Sequence, residues 1–323
     1  MKRLFVLGLA LIVLLCGCNK SNNQSQEDDL IVIGISQVGA ESDWRVANSE
    51  SMKSVFTEEN GYRLLFEDAR QTQENQIIAV RKFIQQQVDY IILLPIYETG
   101  WDSVLQEARD ANIPVILVDR MATVTDETLY LAHVGSDVYD QGSKAVQWLE
   151  ETYNNTPINI IHIQGTLGST PQIGRTKALE NGVAKHENWQ ILTQMDGDFT
   201  RAKTYEILCS YLDSLEPEMP IDIVYCENDN EAFGAIEALE EHGYVCGEDV
   251  DIICFDGTRG ALELCLAGKI AMVVESNPML GPLVEEIIQE KEAGKTPEKH
   301  YYIYEQWYTE DKISEEMIAE RLY

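Results

Sequence analysis

From Leu30 to the C-terminus, short continuous apolar runs alternate with amphipathic stretches of helical length. The apolar runs fall in two sets: 31–36, 63–66, 90–95, 114–118 and 129–134, then 158–164, 190–195, 221–226, 250–255 and 270–274. Unbroken apolar runs separated by helix-length segments belong to parallel strands covered on both faces. The stretches 75–87, 102–111, 141–152, 201–215 and 231–242 predict helices that supply the cover. Ten strands in two sets of five predict an α/β fold of two doubly wound parallel-sheet domains. A closed eight-stranded barrel is the competing arrangement. Strand number and chain length favour the two domains.

The first thirty residues break this rhythm. Lys2 and Arg3 precede an apolar stretch over 4–15, which is short for a membrane span. Leu15-Cys16-Gly17-Cys18 follows, completing the pattern of a bacterial secretion signal. A Leu three residues before a Cys, with Gly directly before it, resembles the lipobox of bacterial lipoproteins. That resemblance implies loss of residues 1–17 as a signal peptide and lipidation of Cys18, which anchors the protein to the cell membrane. An ordinary signal peptide with a chance cysteine is the plainer alternative. Residues 19–29 carry no apolar side chain, so 18–29 reads as a flexible tether. Export excludes a cytosolic enzyme and a DNA-binding role.

Charge changes the picture next. The 323-residue chain carries a formal −31, and losing Lys2 and Arg3 leaves 22 cations against 55 acids. Such a surface repels nucleic acid and anionic lipid, so no nucleic-acid partner is expected. Beyond Cys18 the cysteines are Cys209, Cys226, Cys246, Cys254 and Cys265. An odd count without C-x-x-C points to buried free thiols rather than a disulfide framework or zinc site. A single bridge within the Cys246–Cys265 region stays open. Ser169 lacks a G-x-S-x-G elbow, and 165–170 has neither a Walker Lys nor G-x-G-x-x-G spacing. That segment reads as a tight strand-to-helix turn. The five histidines show no metal spacing. No enzyme, cofactor or metal is expected.

In open parallel sheets, ligands bind beyond the carboxyl ends of the strands. The first strand candidate runs into Ser36-Gln-Val-Gly-Ala-Glu41-Ser-Asp-Trp44-Arg45, and the fourth into Asp119-Arg120. In the second half, strands end at Asn228-Asp229 and at Asp256-Gly257-Thr258. Singly, each is an ordinary turn or helix N-cap residue. Together they line a cleft with carboxylates, amides and guanidinium groups, and Trp44 or Phe199 can offer an apolar face. Sugar hydroxyls both donate and accept, and charged partners strengthen those bonds.

The blocks just quoted, together with Gln73-Glu-Asn-Gln76, Glu98-Thr-Gly-Trp-Asp102, Val118-Asp-Arg120 and Gly197-Asp-Phe-Thr-Arg-Ala-Lys203, resemble a known family. It is the type I periplasmic sugar-binding proteins of ABC importers, the ribose-binding class, and the resemblance covers 30–320. Val118-Asp-Arg and Phe255-Asp-Gly-Thr258 are shared across the class. The stretches 37–45 and 197–203 are narrower and resemble its galactofuranose-binding members. The resemblance implies that Glu41 and Arg45 bond sugar hydroxyls, with Trp44 as a wall and Ser36 beside them. It implies an opposed Asp119–Arg120 pair, an Arg175 that donates to ring and hydroxyl oxygens, and an aromatic face from Phe199. Asn228 and Asp256 would complete the cage, with Glu275 near the hinge. Pro171-Gln172 and Asn277 depart from the family pattern. Three cations (Arg45, Arg120, Arg175) and three anions (Glu41, Asp119, Asp256) leave no net charge to reward an anionic ligand.

The resemblance also implies a three-segment hinge, with crossovers near His133–Val134, Ser276–Asn277 and Tyr304–Glu305. These divide the chain into 30–132 plus 278–303 and 135–275 plus 306–323. The expected function is capture of a neutral monosaccharide, a hexofuranose over ribose, by hinge closure. The expected partner of this extracytoplasmic monomer is an ABC permease. A sensor that presents sugar to a membrane histidine kinase or chemoreceptor would have the same fold and site.

Overall fold

The computed structural model describes residues 30–154, 156–215 and 220–323. The signal peptide, the Cys18 lipidation and the 18–29 tether lie outside the described residues.

The first half alternates strand and helix as far as β4: β1 (Ile31–Gln37), α1 (Asp43–Val55), β2 (Tyr62–Asp68), α2 (Gln73–Gln85), β3 (Tyr90–Leu93), α3 (Asp102–Asp110) and β4 (Val115–Val118), with β5 (Ala132–Gly135) following without an intervening α-helix. The second half repeats the plan. It runs α4 (Val138–Tyr153), β6 (Ile158–Gln164), α5 (Thr170–Val183), β7 (Trp189–Asp196), α6 (Arg201–Ser214), β8 (Ile223–Cys226), α7 (Asp229–Glu241), β9 (Asp251–Asp256), α8 (Arg259–Leu266) and β10 (Met272–Glu275). The chain then returns to the first half for α9 (Gly281–Glu292) and β11 (His300–Tyr302), and ends in the second with β12 (Trp307–Tyr308) and α10 (Glu315–Glu320).

Two six-stranded sheets result, ordered β11-β5-β4-β3-β1-β2 and β12-β10-β9-β8-β6-β7. All pairings between these strands are parallel except β12 on β10. The two orders are the same doubly wound order written twice, and each reverses direction at the first strand of its half. A barrel is thereby excluded.

Continuous apolar strands are explained by apolar cover on both faces. On the first sheet, Ile33 and Ile35 pack with Met52, Val284 and Ile287, while Ile91 and Leu93 meet Phe83, Trp101 and Leu105. The second sheet has Ile161 and Val224 among Leu208, Ala235 and Leu239, and Ile160 and Tyr225 among Leu149 and Leu179. Cys209, Cys226, Cys246, Cys254 and Cys265 are unbridged. Among the described residues, no helix is long and apolar enough to cross a membrane, and no group of side chains is placed to hold a metal ion.

Three details differ from expectation. The two edge strands β11 and β12 are additional, because three and two residues make no apolar run. The expected strand over 129–134 begins later: Glu127–Leu129 forms a 3-10 turn capped by Asp126, and pairing starts at Ala132. Finally, His133 and Val134 are not a crossover. They pair with Leu117 and Val118 on one side and His300 and Tyr301 on the other. The chain leaves the first sheet only after Gly135, so the passage to α4 falls at Ser136 and Asp137.

Candidate ligand-binding site

A cavity of about 290 Å³ of non-atom space, partly open to solvent, lies between the halves. Glu41, Ser42, Trp44, Arg45, Asp119 and Arg120 line it from the first half. The β1–α1 loop places Glu41, and Ser42 caps α1 by accepting from the Arg45 backbone N–H at 3.2 Å, which aims the first helical turn at the cavity. Glu41 Oε1 accepts from Arg45 Nε and Nη2 at 3.2 and 3.1 Å and from Arg120 Nη2 at 2.5 Å. Arg45 Nη2 also donates to Asp119 Oδ2 at 2.7 Å. Glu41 Oε2, Arg45 Nη1 and Arg120 Nε are buried with no hydrogen-bond partner in the protein. Burial opposes the Arg45 charge, yet Asp119 and Glu41 hold its pKa above the ordinary value. Burial wins at Arg120, whose pKa is lowered, with repulsion from Arg45 adding to it.

The second half contributes Pro171, Arg175, Phe199, Asn228 and Asp256, and Ser276 comes from the passage after β10. Each guanidinium rests on an aromatic ring: Arg45 on Trp44 at 4.7 Å, Arg120 on Phe199 at 5.3 Å and Arg175 on Phe255 at 4.6 Å. Arg175 Nη2 lies 3.8 Å from Asp256 Oδ1. Burial pushes the Asp256 carboxyl well above the usual range, and Arg175 opposes that shift.

The backbone is under tension where it meets the cavity. Asp119, Phe199 and Asp256 have φ of 61°, 58° and 111°, a region that costs a side-chain-bearing residue of order 1–2 kcal/mol. Four buried polar residues, Glu227, Asn228, Asp229 and Glu231, supply the restraint at two of the three. Glu231 Oε1 accepts from the Phe199 N–H at 3.0 Å and Asn228 Nδ2 donates to the Phe199 carbonyl at 3.1 Å. Asp229 Oδ2 accepts from Thr258 N and Oγ1 at 2.7 and 2.8 Å, which pins the loop after Asp256. Glu227 accepts from His162 Nε2 at 3.0 Å and from the Gly165 N–H at 2.9 Å.

Gly165 matters for a second reason. A Cβ there would overlap the Phe199 ring. Gly165→Ala therefore has to displace the ring from the cavity wall, an overpacking that costs about 1–3 kcal/mol. A roughly ten-fold loss of ligand affinity with a retained fold is the expected result. Titration calorimetry at wild-type affinity would show that the ring is no part of the wall.

Asp229 gives the fold a pH dependence. Burial raises its carboxyl pKa to about 6, against hydrogen bonds from Cys254 and Thr258 that lower it. A native pKa above the unfolded one, about 4, means the folded state keeps a proton that the unfolded state loses. The stabilisation is full below about pH 4 and is lost as pH rises through about 6. Urea midpoints should accordingly fall between pH 4 and 6, and Asp229→Asn should flatten that slope. An unchanged slope in the variant assigns the effect to another carboxylate.

Of the residues singled out from sequence, the cavity gathers Glu41, Trp44, Arg45, Asp119, Arg120, Arg175, Phe199, Asn228 and Asp256. Ser36 and Glu275 are elsewhere. Ser36 is buried under the end of β1, its hydroxyl without a partner. Glu275 is taken by the C-terminal tail: its Oε1 accepts from Arg321 Nη1 at 2.5 Å and its Oε2 from the Gln306 N–H at 3.2 Å. Trp44 spends its Nε1–H on the Ser276 carbonyl at 2.7 Å, across the two halves. Asn228 spends its amide oxygen on the Glu231 N–H at 2.8 Å, as an N-cap. The halves also touch directly: Asp43 N donates to Asn230 Oδ1 at 3.1 Å, Glu98 N to the Gly168 carbonyl at 2.9 Å and Met121 N to Thr170 Oγ1 at 3.1 Å. The arrangement is a closed one.

This doubled fold and its site have relatives. The family described as periplasmic binding protein domain matches residues 33–295. The galactofuranose-binding protein YtfQ of Escherichia coli strain K12 is 37% identical over 288 residues, 89% of this chain and 90% of the relative. A solved structure of a Mycobacterium smegmatis protein in complex with β-D-fucofuranose is 38% identical, with a TM-score of 0.83, covering 87% of this chain and 92% of that one. The periplasmic binding component of the arabinose ABC transporter of Shewanella sp. ANA-3, bound to α- and β-L-arabinofuranose, is 37% identical with the same TM-score, 0.83, and the same coverage, 87% and 92%. With two doubly wound halves closing on one polar cavity, the chain belongs to the periplasmic binding protein family, as a member of its type I, sugar-binding group of non-catalytic solute-binding proteins.

Proposed function

We propose that this protein captures a neutral monosaccharide in its furanose form and delivers it to an ABC permease. The observation that carries the reading is the cage itself: three buried guanidinium groups against the buried Glu41 and Asp256 and the part-buried Asp119, with Glu41 Oε2, Arg45 Nη1 and Arg120 Nε making no hydrogen bond in the protein. Such a set offers both acceptors and donors, which suits hydroxyl groups. An anionic ligand would bring its charge against Glu41, Asp119 and Asp256 in a site of low dielectric, which is costly. The furanose preference draws on relatives of 36–38% identity whose described ligands are galactofuranose, fucofuranose and arabinofuranose. Delivery to a permease draws on a relative described as an ABC transporter component.

In this reading Glu41, Arg45, Asp119 and Arg120 bind from one half and Arg175 and Asp256 from the other, with Trp44 and Phe199 as walls. The halves are 30–135 plus 278–303 and 138–275 plus 306–323, and the three passages between them form the hinge. Lipidation at Cys18 holds the protein to the membrane outside the cytoplasm. Competition calorimetry with galactofuranose, arabinofuranose, ribose, a sugar phosphate and a sugar acid tests the site. Neutral furanoses should bind most tightly. Tighter binding of the phosphate or the acid contradicts a neutral site, and tighter ribose binding removes the preference for the furanoses of the relatives while leaving a neutral site.

A further inference from the structure

Glu305 lies in the last passage between the halves, buried, and it bonds to both of the other passages. Its Oε1 accepts from Ser136 Oγ at 2.7 Å in the first passage and from the Asn277 N–H at 2.9 Å in the second. Its Oε2 accepts from Gln141 Nε2 at 2.6 Å, and that NH₂ also reaches the Glu275 carbonyl at 3.3 Å, a longer bond to a neutral acceptor. Gln141 is buried on α4 and turns its amide oxygen to Arg175, accepting from Nε at 3.1 Å and Nη2 at 2.8 Å. Arg175 completes its contacts by donating Nη1 to the Glu227 carbonyl.

We propose that Glu305 is a positioning residue for Arg175: it selects the orientation of the Gln141 amide, and so sets the ligand-facing guanidinium and the hinge together. The proposal rests on the reading of the cavity as a furanose site. Its physics is a matter of donors and acceptors. An ionised carboxylate accepts only, a guanidinium donates only, and a primary amide does one at each end. As observed, the amide N–H meets the carboxylate and the amide oxygen meets the guanidinium. The flipped amide would set oxygen against carboxylate and N–H against guanidinium. Both neighbours therefore enforce the same choice. Ser136 and Asn277 also donate to Glu305, and these bonds favour its ionised form against the upward pull of burial.

Glu305→Gln breaks this logic without changing the shape of the side chain. Ser136 Oγ and the Asn277 N–H still demand an acceptor, so the new amide must turn its NH₂ toward Gln141. Either two NH₂ groups then face each other, or Gln141 flips and presents NH₂ to Arg175. The first removes the charge-assisted bond that braces the Gln141 amide, the second turns a donor onto Arg175, and either loosens the setting of Arg175. A compensating pair follows: Gln141→Glu in the Glu305→Gln protein accepts from the new amide and from Arg175, at the same net charge.

The test measures furanose affinity by calorimetry in wild type, Glu305→Gln and the Gln141→Glu/Glu305→Gln double variant, with unfolding midpoints for each. Glu305→Gln should bind about ten-fold more weakly, the size of one lost charge-assisted hydrogen bond. The double variant should recover to within about three-fold of wild type. A residue with a merely structural role would lower the unfolding midpoint, leave affinity unchanged and gain nothing from the exchange. Should Glu305→Gln not fold, Gln141→Met, which leaves Glu305 bonded to Ser136 and Asn277, must show the same weakening. A second readout needs no sugar: the ¹⁵N resonance of the Arg175 Nε–H, sheltered by Gln141, should broaden in Glu305→Gln and return in the double variant. Unchanged affinity in Glu305→Gln, or a double variant no better than the single, overturns the proposal. A wild-type protein that binds no furanose counts against the functional reading, and the Arg175 resonance then still decides the role of Glu305.

Discussion

Glu41→Ala should give a protein that binds no measurable furanose and unfolds at a distinctly lower denaturant concentration. One oxygen of Glu41 receives three guanidinium donors, two from Arg45 and one from Arg120. Both arginines are almost fully buried, and among the described residues Asp119 is the one other anion that forms an ion pair with them. Without Glu41, two buried cations share a single carboxylate. Breaking a buried pair by removing one partner costs about 3–5 kcal/mol. Arg120 is the more exposed to this loss, because burial already lowers its pKa and Glu41 is the largest influence holding it up. Ligand affinity should fall more than about 100-fold, since the Glu41 Oε2 acceptor disappears and both arginines lose their setting. Chemical denaturation and calorimetry on the same preparation check both effects. A midpoint equal to wild type, with affinity within ten-fold, would show that Asp119 neutralises the pair unaided.

Asp256→Ala should do the reverse to stability while also disabling binding. The Asp256 carboxylate has Arg175 at 3.8 Å as its counter-ion, and that arginine is already held by Gln141 and by the Glu227 carbonyl. Burial raises the Asp256 pKa well above the carboxylate range, so the charged form is a liability to the folded protein. Removing it should leave the unfolding midpoint equal or higher at pH 7. Binding needs that carboxylate as an acceptor from the second half. Its loss should weaken affinity by about ten- to a hundred-fold, the range of roughly 1.5–3 kcal/mol for a hydrogen bond to a charged group. Wild-type affinity in Asp256→Ala would make it a plain strand-end residue of β9. The contrast with Glu41 is informative. Two carboxylates of one cage have opposite effects on the fold because one holds two arginines in place and the other stands nearly free.

The fold was legible wherever burial is two-sided. Strands covered by helices on both faces are apolar along most of their length, so β1, β3, β4, β8 and β9 stand out as near-continuous runs and β6 does so despite Asn159 and His162. The edge strands β11 and β12 were not, since His-Tyr-Tyr and Trp-Tyr carry no such mark and pair because the returning chain passes there. Residues at strand ends were legible through the rule that ligands meet parallel sheets at their carboxyl edge, which picks out Glu41, Asp119, Arg120 and Asp256. Glu275 entered through resemblance and was misplaced: β10 lies beside the edge strand β12, where Arg321 of the C-terminal tail claims the carboxylate. Arg175 follows no strand and lies inside α5, so it entered through resemblance. The restraints behind the site were illegible. Glu231 and Phe199 are 32 positions apart, and Glu227 meets the Gly165 N–H across 62, distances at which sequence pattern carries no pairing information.

The central claim, a neutral furanose held by both halves through this cage, is tested most directly by a crystal structure of the protein grown with galactofuranose. The sugar should lie in the cavity between Trp44 and Phe199, with its oxygens within hydrogen-bonding distance of Glu41 Oε2, Arg45 Nη1 and Arg120 Nε, and of Asp256 from the other half. A sugar held by one half, or one that leaves those three atoms unpaired, would contradict it.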